Sequence, residues 1–71
     1  MTEFKIGDVI VEIGDDKLVF VLKTDRYYYY LGRVIEPSDL NCETWDFCIT
    51  KELAHKNYVR IGGKKDIEVV V

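Results

Sequence analysis

The stretch Arg26-Tyr27-Tyr28-Tyr29-Tyr30-Leu31 decides the fold class of this chain. Four consecutive tyrosines favour a β-strand, in which aromatic residues are common and successive side chains point to opposite faces of the sheet. Tyr27 and Tyr29 would then share one face with Leu31. Tyr28 and Tyr30 would lie on the other face. A chain of 71 residues does not need two aromatic faces on one strand to fill its core, so we expect this second pair to form a contact surface.

Alternation of apolar and polar residues continues on both sides of the tyrosines and indicates further strands. The predicted strands are Asp8–Ile13, Lys17–Lys23, Tyr27–Ile35, Thr44–Thr50, Asn57–Ile61 and Asp66–Val71. Small polar residues and glycines between them predict turns, at Gly14-Asp15-Asp16, Thr24-Asp25 and Gly62-Gly63. Glu36–Asn41 predicts a loop, because its proline lacks the amide that a central strand requires.

Three local features refine this pattern. Gly32, inside the third strand, predicts a bulge or sharp bend. The strand Thr44–Thr50 would turn Trp45, Phe47 and Ile49 inward. One short helical or 3₁₀ turn is expected near residues 50–56, with Thr50 as its N-cap and Leu53 against the sheet.

The second strand is apolar on both faces over Leu18–Leu22, which indicates a closed or doubly covered sheet. Closure would also remove the exposed edges that so many apolar strands create. The sequence therefore predicts an all-β fold, a small barrel of five to six strands with one short helical turn. Its length predicts a single domain over residues 1–71.

Residues 4–61 resemble the Src-homology-3-like small barrels in their pattern. The resemblance lies in the opening Gly7-Asp8-Val9 and in Ile49-Thr50-Lys51-Glu52-Leu53, a late turn that leads into the strand Tyr58-Val59-Arg60-Ile61. The chain is also similar to small barrel proteins of bacteriophages and prophages. This second resemblance implies an accessory protein that binds or inhibits a host factor. The acidic loop and Trp-Trp pair of the proline-peptide groove are absent, so no peptide-binding residues are carried over.

Composition and spacing exclude several classes of function. Ten basic and 13 acidic residues give a net charge of −3, unlike proteins held to nucleic acid by bulk charge. The longest apolar run is too short to span a bilayer, and the N-terminus lacks the pattern of a signal peptide, so a cytoplasmic protein is expected. Cys42, Cys48 and His55 follow neither a metal-binding nor a nucleophilic spacing. We expect no catalytic site, metal or cofactor.

The candidate binding residues are Tyr28 and Tyr30 together with the cations of the same hairpin, Lys23, Arg26 and Arg33. Exposed aromatic side chains mark protein interfaces or stacking platforms for bases. The negative net charge favours a protein partner. A nucleic-acid-binding barrel and a structural subunit that functions as a homo-oligomer remain alternatives, the latter because Leu18–Leu22 could complete its core against a second copy.

Overall fold

The computed structural model describes residues 3–63 of the chain and shows five antiparallel strands in one sheet with two short helices. The strands are β1 (Asp8–Glu12), β2 (Leu18–Thr24), β3 (Tyr28–Val34), β4 (Phe47–Thr50) and β5 (Tyr58–Gly63). A 3₁₀ helix spans Pro37–Asn41 and the α-helix α1 spans Lys51–Asn57. The predominantly β prediction is confirmed.

The strand order is β4-β3-β2-β1-β5, so the last described strand returns to pair with the first. Over residues 3–63 the sheet ends at β4 on one side and at β5 on the other, and it does not close. The sixth predicted strand, Asp66–Val71, lies outside the described residues. The described part of the chain therefore forms an open sheet.

Both faces of the sheet are covered, in agreement with the continuous apolar run of β2. The helix face carries α1, and its buried cluster comprises Ile10, Val19, Val21, Tyr29, Leu31 and Ala54. The loop face carries the 3₁₀ helix, and its buried cluster comprises Val9, Phe20 and Leu40. Adjacent residues such as Val19 and Phe20 are both buried because each serves a different face.

The turn predicted at Gly14 is confirmed, whereas the predictions for Gly32 and for Gly62-Gly63 need correction. Gly32 pairs with Phe20 in regular register, and the bulge lies in β2 between Val21 and Lys23 instead. A Cβ at Gly32 would lie 2.8 Å from Cε1 of Phe20, so glycine is needed here for the close approach of a ring. Gly62 and Gly63 do not form a turn but belong to β5, opposite Val9 and Asp8.

The connection between β3 and β4 differs from the sequence pattern. The predicted loop at Glu36–Asn41 contains the 3₁₀ helix, and the carboxylate of Asp39 accepts the amides of Ile35 and Glu36, both at 2.8–2.9 Å. These hydrogen bonds lower the pKa of Asp39, that from Glu36 most. The short helix matters because it carries Leu40, which is fully buried on the loop face.

The predicted helical turn near residues 50–56 is confirmed as α1, and the hydroxyl of Thr50 caps it by accepting the amide of Leu53 at 3.2 Å. The buried residue of α1 is Ala54, whereas Leu53 remains 49 % exposed, contrary to its prediction. Ala54 packs in the buried cluster with Tyr29 and Leu31 of β3, where a small side chain lets the helix approach the sheet. No helix within residues 3–63 is long and apolar enough to cross a membrane.

Candidate functional site

Tyr28 and Tyr30 lie on the loop face of β3, outside the buried cluster of that face. Tyr28 is 40 % exposed and Tyr30 is half-buried, while Tyr29 between them is fully buried on the helix face. Tyr27 does not share the buried environment of Tyr29, because it lies in the turn before β3 begins and is 64 % exposed. The strand thus separates one core tyrosine from two that face outward.

A single carboxylate fixes the orientation of Tyr30. The Tyr30 hydroxyl donates to Oδ2 of Asp25 at 2.7 Å. The other oxygen of Asp25 accepts the amides of Tyr27 and Tyr28 at 2.9 and 2.8 Å. These three hydrogen bonds, that from Tyr30 first, lower the pKa of Asp25, and the same carboxylate raises the pKa of Tyr30. Asp25, read from the sequence only as a turn residue, therefore supports the site.

Trp45, in the segment that precedes β4, contacts Tyr30. Its ring meets that of Tyr30 edge-on, with 5.1 Å between centroids and 62° between planes. The chain is held there by Asp46, whose amide donates to the carbonyl of Leu31 and whose carboxylate accepts the amide of Arg33, both at 2.8 Å. Trp45 remains 46 % exposed, so the prediction that it turns inward is wrong.

The aromatic patch is the surface formed by Tyr28, Tyr30 and Trp45. Lys23 belongs to it, since the β2 bulge places Lys23 opposite Tyr30 and its Nζ lies 5.3 Å from the centre of that ring.

The other two predicted cations lie elsewhere. Arg26 stacks on Tyr27 at 5.6 Å in the neighbouring turn. Arg33 lies over the ring of Phe47 at 5.2 Å, and Phe47 packs on the cluster of the helix face. Of the predicted site residues, Tyr28, Tyr30 and Lys23 come together, while Arg26 and Arg33 lie outside the patch.

His55 serves the core of the helix face. Its Nε2 lies 2.8 Å from the hydroxyl of Tyr29, which also accepts the amide of Phe4 at 3.1 Å. The ring of Phe4 stacks on His55 with 4.7 Å between centroids. Burial is the main cause that raises the pKa of Tyr29.

The two cysteines, Cys42 and Cys48, are free and exposed. Within residues 3–63, no group of three His, Cys, Asp or Glu side chains is arranged to hold a metal ion.

Comparison with protein-family models, curated proteins and solved structures finds no match to this chain. What the site can bind must therefore be inferred from the arrangement of its side chains. A rigid, partly exposed group of aromatic rings can bury large apolar area at a small cost in conformational entropy. Such groups act as anchors in protein interfaces and as platforms for stacked bases.

Proposed function

We propose that this chain is a non-enzymatic, cytoplasmic protein-binding module that docks a partner on the aromatic patch. The observation that carries the proposal is the fixed geometry of Tyr30, held by Asp25 and packed edge-on by a half-exposed Trp45. Tyr and Trp dominate the binding energy of protein interfaces when they are held in place before the partner arrives.

The charges around the patch favour a protein over a nucleic acid. Asp25 contacts Tyr30 directly, and Glu43 and Asp46 flank Trp45 along the chain. Carboxylates at these positions repel phosphates and suit a partner with basic side chains around an apolar centre. Lys23 over the Tyr30 ring is the observation that supports the nucleic-acid alternative, in which bases stack on the patch.

We also propose that the fold is a small barrel and that the chain is an accessory protein of a phage or prophage. The order β4-β3-β2-β1-β5, with a helix just before β5, supports an Src-homology-3-like small barrel. The resemblance to small phage and prophage barrels suggests a host protein as the partner, which the module binds or inhibits.

The test is affinity capture from the lysate of the source cells with tagged full-length protein, with and without nuclease. The patch variant is Tyr28→Ser combined with Trp45→Ser, which leaves the bond between Tyr30 and Asp25 in place. The matched control is Tyr27→Ser, which removes an exposed tyrosine outside the patch. Thermal unfolding checks that all three proteins fold.

A protein captured by the wild type and the control, but not by the patch variant, supports the proposal. Removal of an anchor that contributes about 2 kcal/mol weakens binding roughly 30-fold. Capture that the patch variant retains would place the interface elsewhere. Capture that nuclease abolishes, with affinity that falls steeply as salt is raised, would favour the nucleic-acid alternative.

A further inference from the structure

A concave surface lies on the opposite side of the sheet from the aromatic patch. Helix α1 has only seven residues, and its buried Ala54 belongs to the cluster around Tyr29. Toward the turn between β1 and β2, the helix face holds an open cleft of about 760 Å³. Its lining includes Glu12, Asp15, Val19, Arg33, Phe47 and Tyr58. This volume lies within the range of roughly 300–1,000 Å³ that ligand-binding clefts occupy.

The strand register builds the cleft. Val19, which is 5 % exposed, forms its apolar floor and pairs with Arg33 across β2 and β3. Tyr58 lies opposite Glu12 at one side, and Phe47 of β4 lies at the other. Both aromatic rings pack against the buried cluster of the helix face. The two side walls are therefore fixed by the core.

The charges of the cleft are separated. Glu12 and Asp15 lie on the side of Tyr58, where burial first and then these carboxylates raise the pKa of the Tyr58 hydroxyl. The backbone amide of Lys17 donates to Asp15 at 3.1 Å and is the main cause that lowers the pKa of this carboxyl. On the other side, the guanidinium of Arg33 rests on Phe47.

The cleft suits flexible side chains better than a small polar molecule. Within the described residues, every buried side-chain nitrogen or oxygen already has a hydrogen-bond partner, so none needs a ligand to satisfy it. Recognition must then come from the apolar floor, the aromatic walls and the charges at the rim. Three acids, Glu12, Asp15 and Asp16, line the cleft against two bases, Lys17 and Arg33.

We propose that this cleft binds a short peptide segment of a partner protein in which a basic side chain is adjacent to an apolar one. The basic group would meet Glu12 and Asp15, and the apolar group would cover Val19 between Tyr58 and Phe47. Arg33 would then face a carbonyl or a carboxylate of the same segment. This site is separate from the aromatic patch and does not depend on it.

The experiment begins with selection from a phage-displayed library of random eight-residue peptides on the full-length protein. Enriched peptides are synthesised, and their dissociation constants are measured by fluorescence anisotropy. The cleft variant is Glu12→Lys, and the matched control is Glu52→Lys, which makes the same charge change at an exposed position of α1. Tyr28→Ser controls for the aromatic patch. Amide shifts in the ¹H–¹⁵N spectrum locate the bound peptide on the wild type.

We expect enriched peptides to contain a lysine or arginine next to an apolar residue. Glu12→Lys should weaken their binding roughly tenfold, because an exposed attractive charge pair becomes a repulsive one. Glu52→Lys and Tyr28→Ser should leave it unchanged, and the shifted amides should include those of Val19, Arg33 and Tyr58.

Four outcomes would overturn the proposal. The first is the absence of enriched peptides, and the second is enrichment of peptides without a basic residue. The third is binding that Tyr28→Ser abolishes and Glu12→Lys does not, because the peptide would then occupy the aromatic patch. The fourth is a concentration-dependent dimer, seen by sedimentation, that Glu12→Lys dissociates, because a second copy would then occupy the cleft.

Discussion

Replacement of Gly32 by alanine tests the packing of the loop face. The added Cβ would lie 2.8 Å from Cε1 and 3.3 Å from Cζ of Phe20, and 3.0 Å from Cδ1 of Leu22. Leu22 is only partly buried and can move aside. Phe20 is 2 % exposed and packs with Val9 and Leu40, so its ring cannot rotate away without disturbing the cluster.

The magnitude follows from two opposing effects. Overpacking of a well-filled core costs about 1–3 kcal/mol. Alanine also restricts the unfolded chain relative to glycine, which returns about 0.4–1 kcal/mol. We therefore expect Gly32→Ala to reduce the free energy of unfolding by about 1–2 kcal/mol. For a domain of this size, the melting temperature should fall by roughly 5–15 °C.

The assay is urea unfolding followed by tryptophan fluorescence, in a double-mutant cycle with Phe20→Leu. Leucine lacks the outer ring atoms that Cβ would meet, so Gly32→Ala should cost little in that background. The coupling energy between the two sites should be at least about 1 kcal/mol. An equal cost in both backgrounds would refute the reasoning, because the destabilisation would then not arise from contact with the ring.

Three further predictions concern single hydrogen-bonding groups. Tyr29→Phe should lower the free energy of unfolding by about 1–2 kcal/mol and speed hydrogen exchange at the Phe4 amide, since the hydroxyl that this amide contacts is lost; Tyr27→Phe is the control, and equal stability of the two variants would contradict the prediction. Because the pKa of Asp25 is lowered in the folded state, its stabilising effect is present above about pH 4 and is lost as pH falls. Urea unfolding between pH 2 and pH 6, roughly the range spanning the usual carboxyl pKa, should accordingly show a smaller decline for Asp25→Asn than for the wild type, and parallel curves would argue against it. Thr50→Ala should cost about 1 kcal/mol and reduce the helical circular dichroism signal, and an unchanged signal would mean that the cap is dispensable.

The strands could be predicted because side chains that alternate between apolar and polar indicate a strand and show which of its faces is buried. Leu18–Leu22 indicated a closed or doubly covered sheet, and the described sheet is open with a buried cluster on each face. The outward position of Tyr28 and Tyr30 followed from alternation with the buried Tyr29. What alternation cannot give is where each strand begins. Tyr27 therefore lies in a turn although the pattern includes it.

The rest of the site depended on long-range placement. Trp45 fits an apolar alternation, but Asp46 bonds to Leu31 and Arg33 and holds this segment outside β4. Arg33 was grouped with the tyrosines because it lies on the same strand, yet its odd number places it with Tyr29 on the other face. This last assignment could have been made from the sequence, because in a strand without a bulge, such as β3, odd and even residues lie on opposite faces.

The two candidate surfaces have one physical origin. A seven-residue helix is roughly 10 Å long, whereas seven-residue strands such as β2 and β3 extend roughly 23 Å. Neither α1 nor the still shorter 3₁₀ helix can therefore cover the whole of its face. The area left open is the cleft on the helix face and the aromatic patch on the loop face. Since the buried clusters of the sheet separate them, substitutions at Tyr28 and at Glu12 should have independent effects on binding.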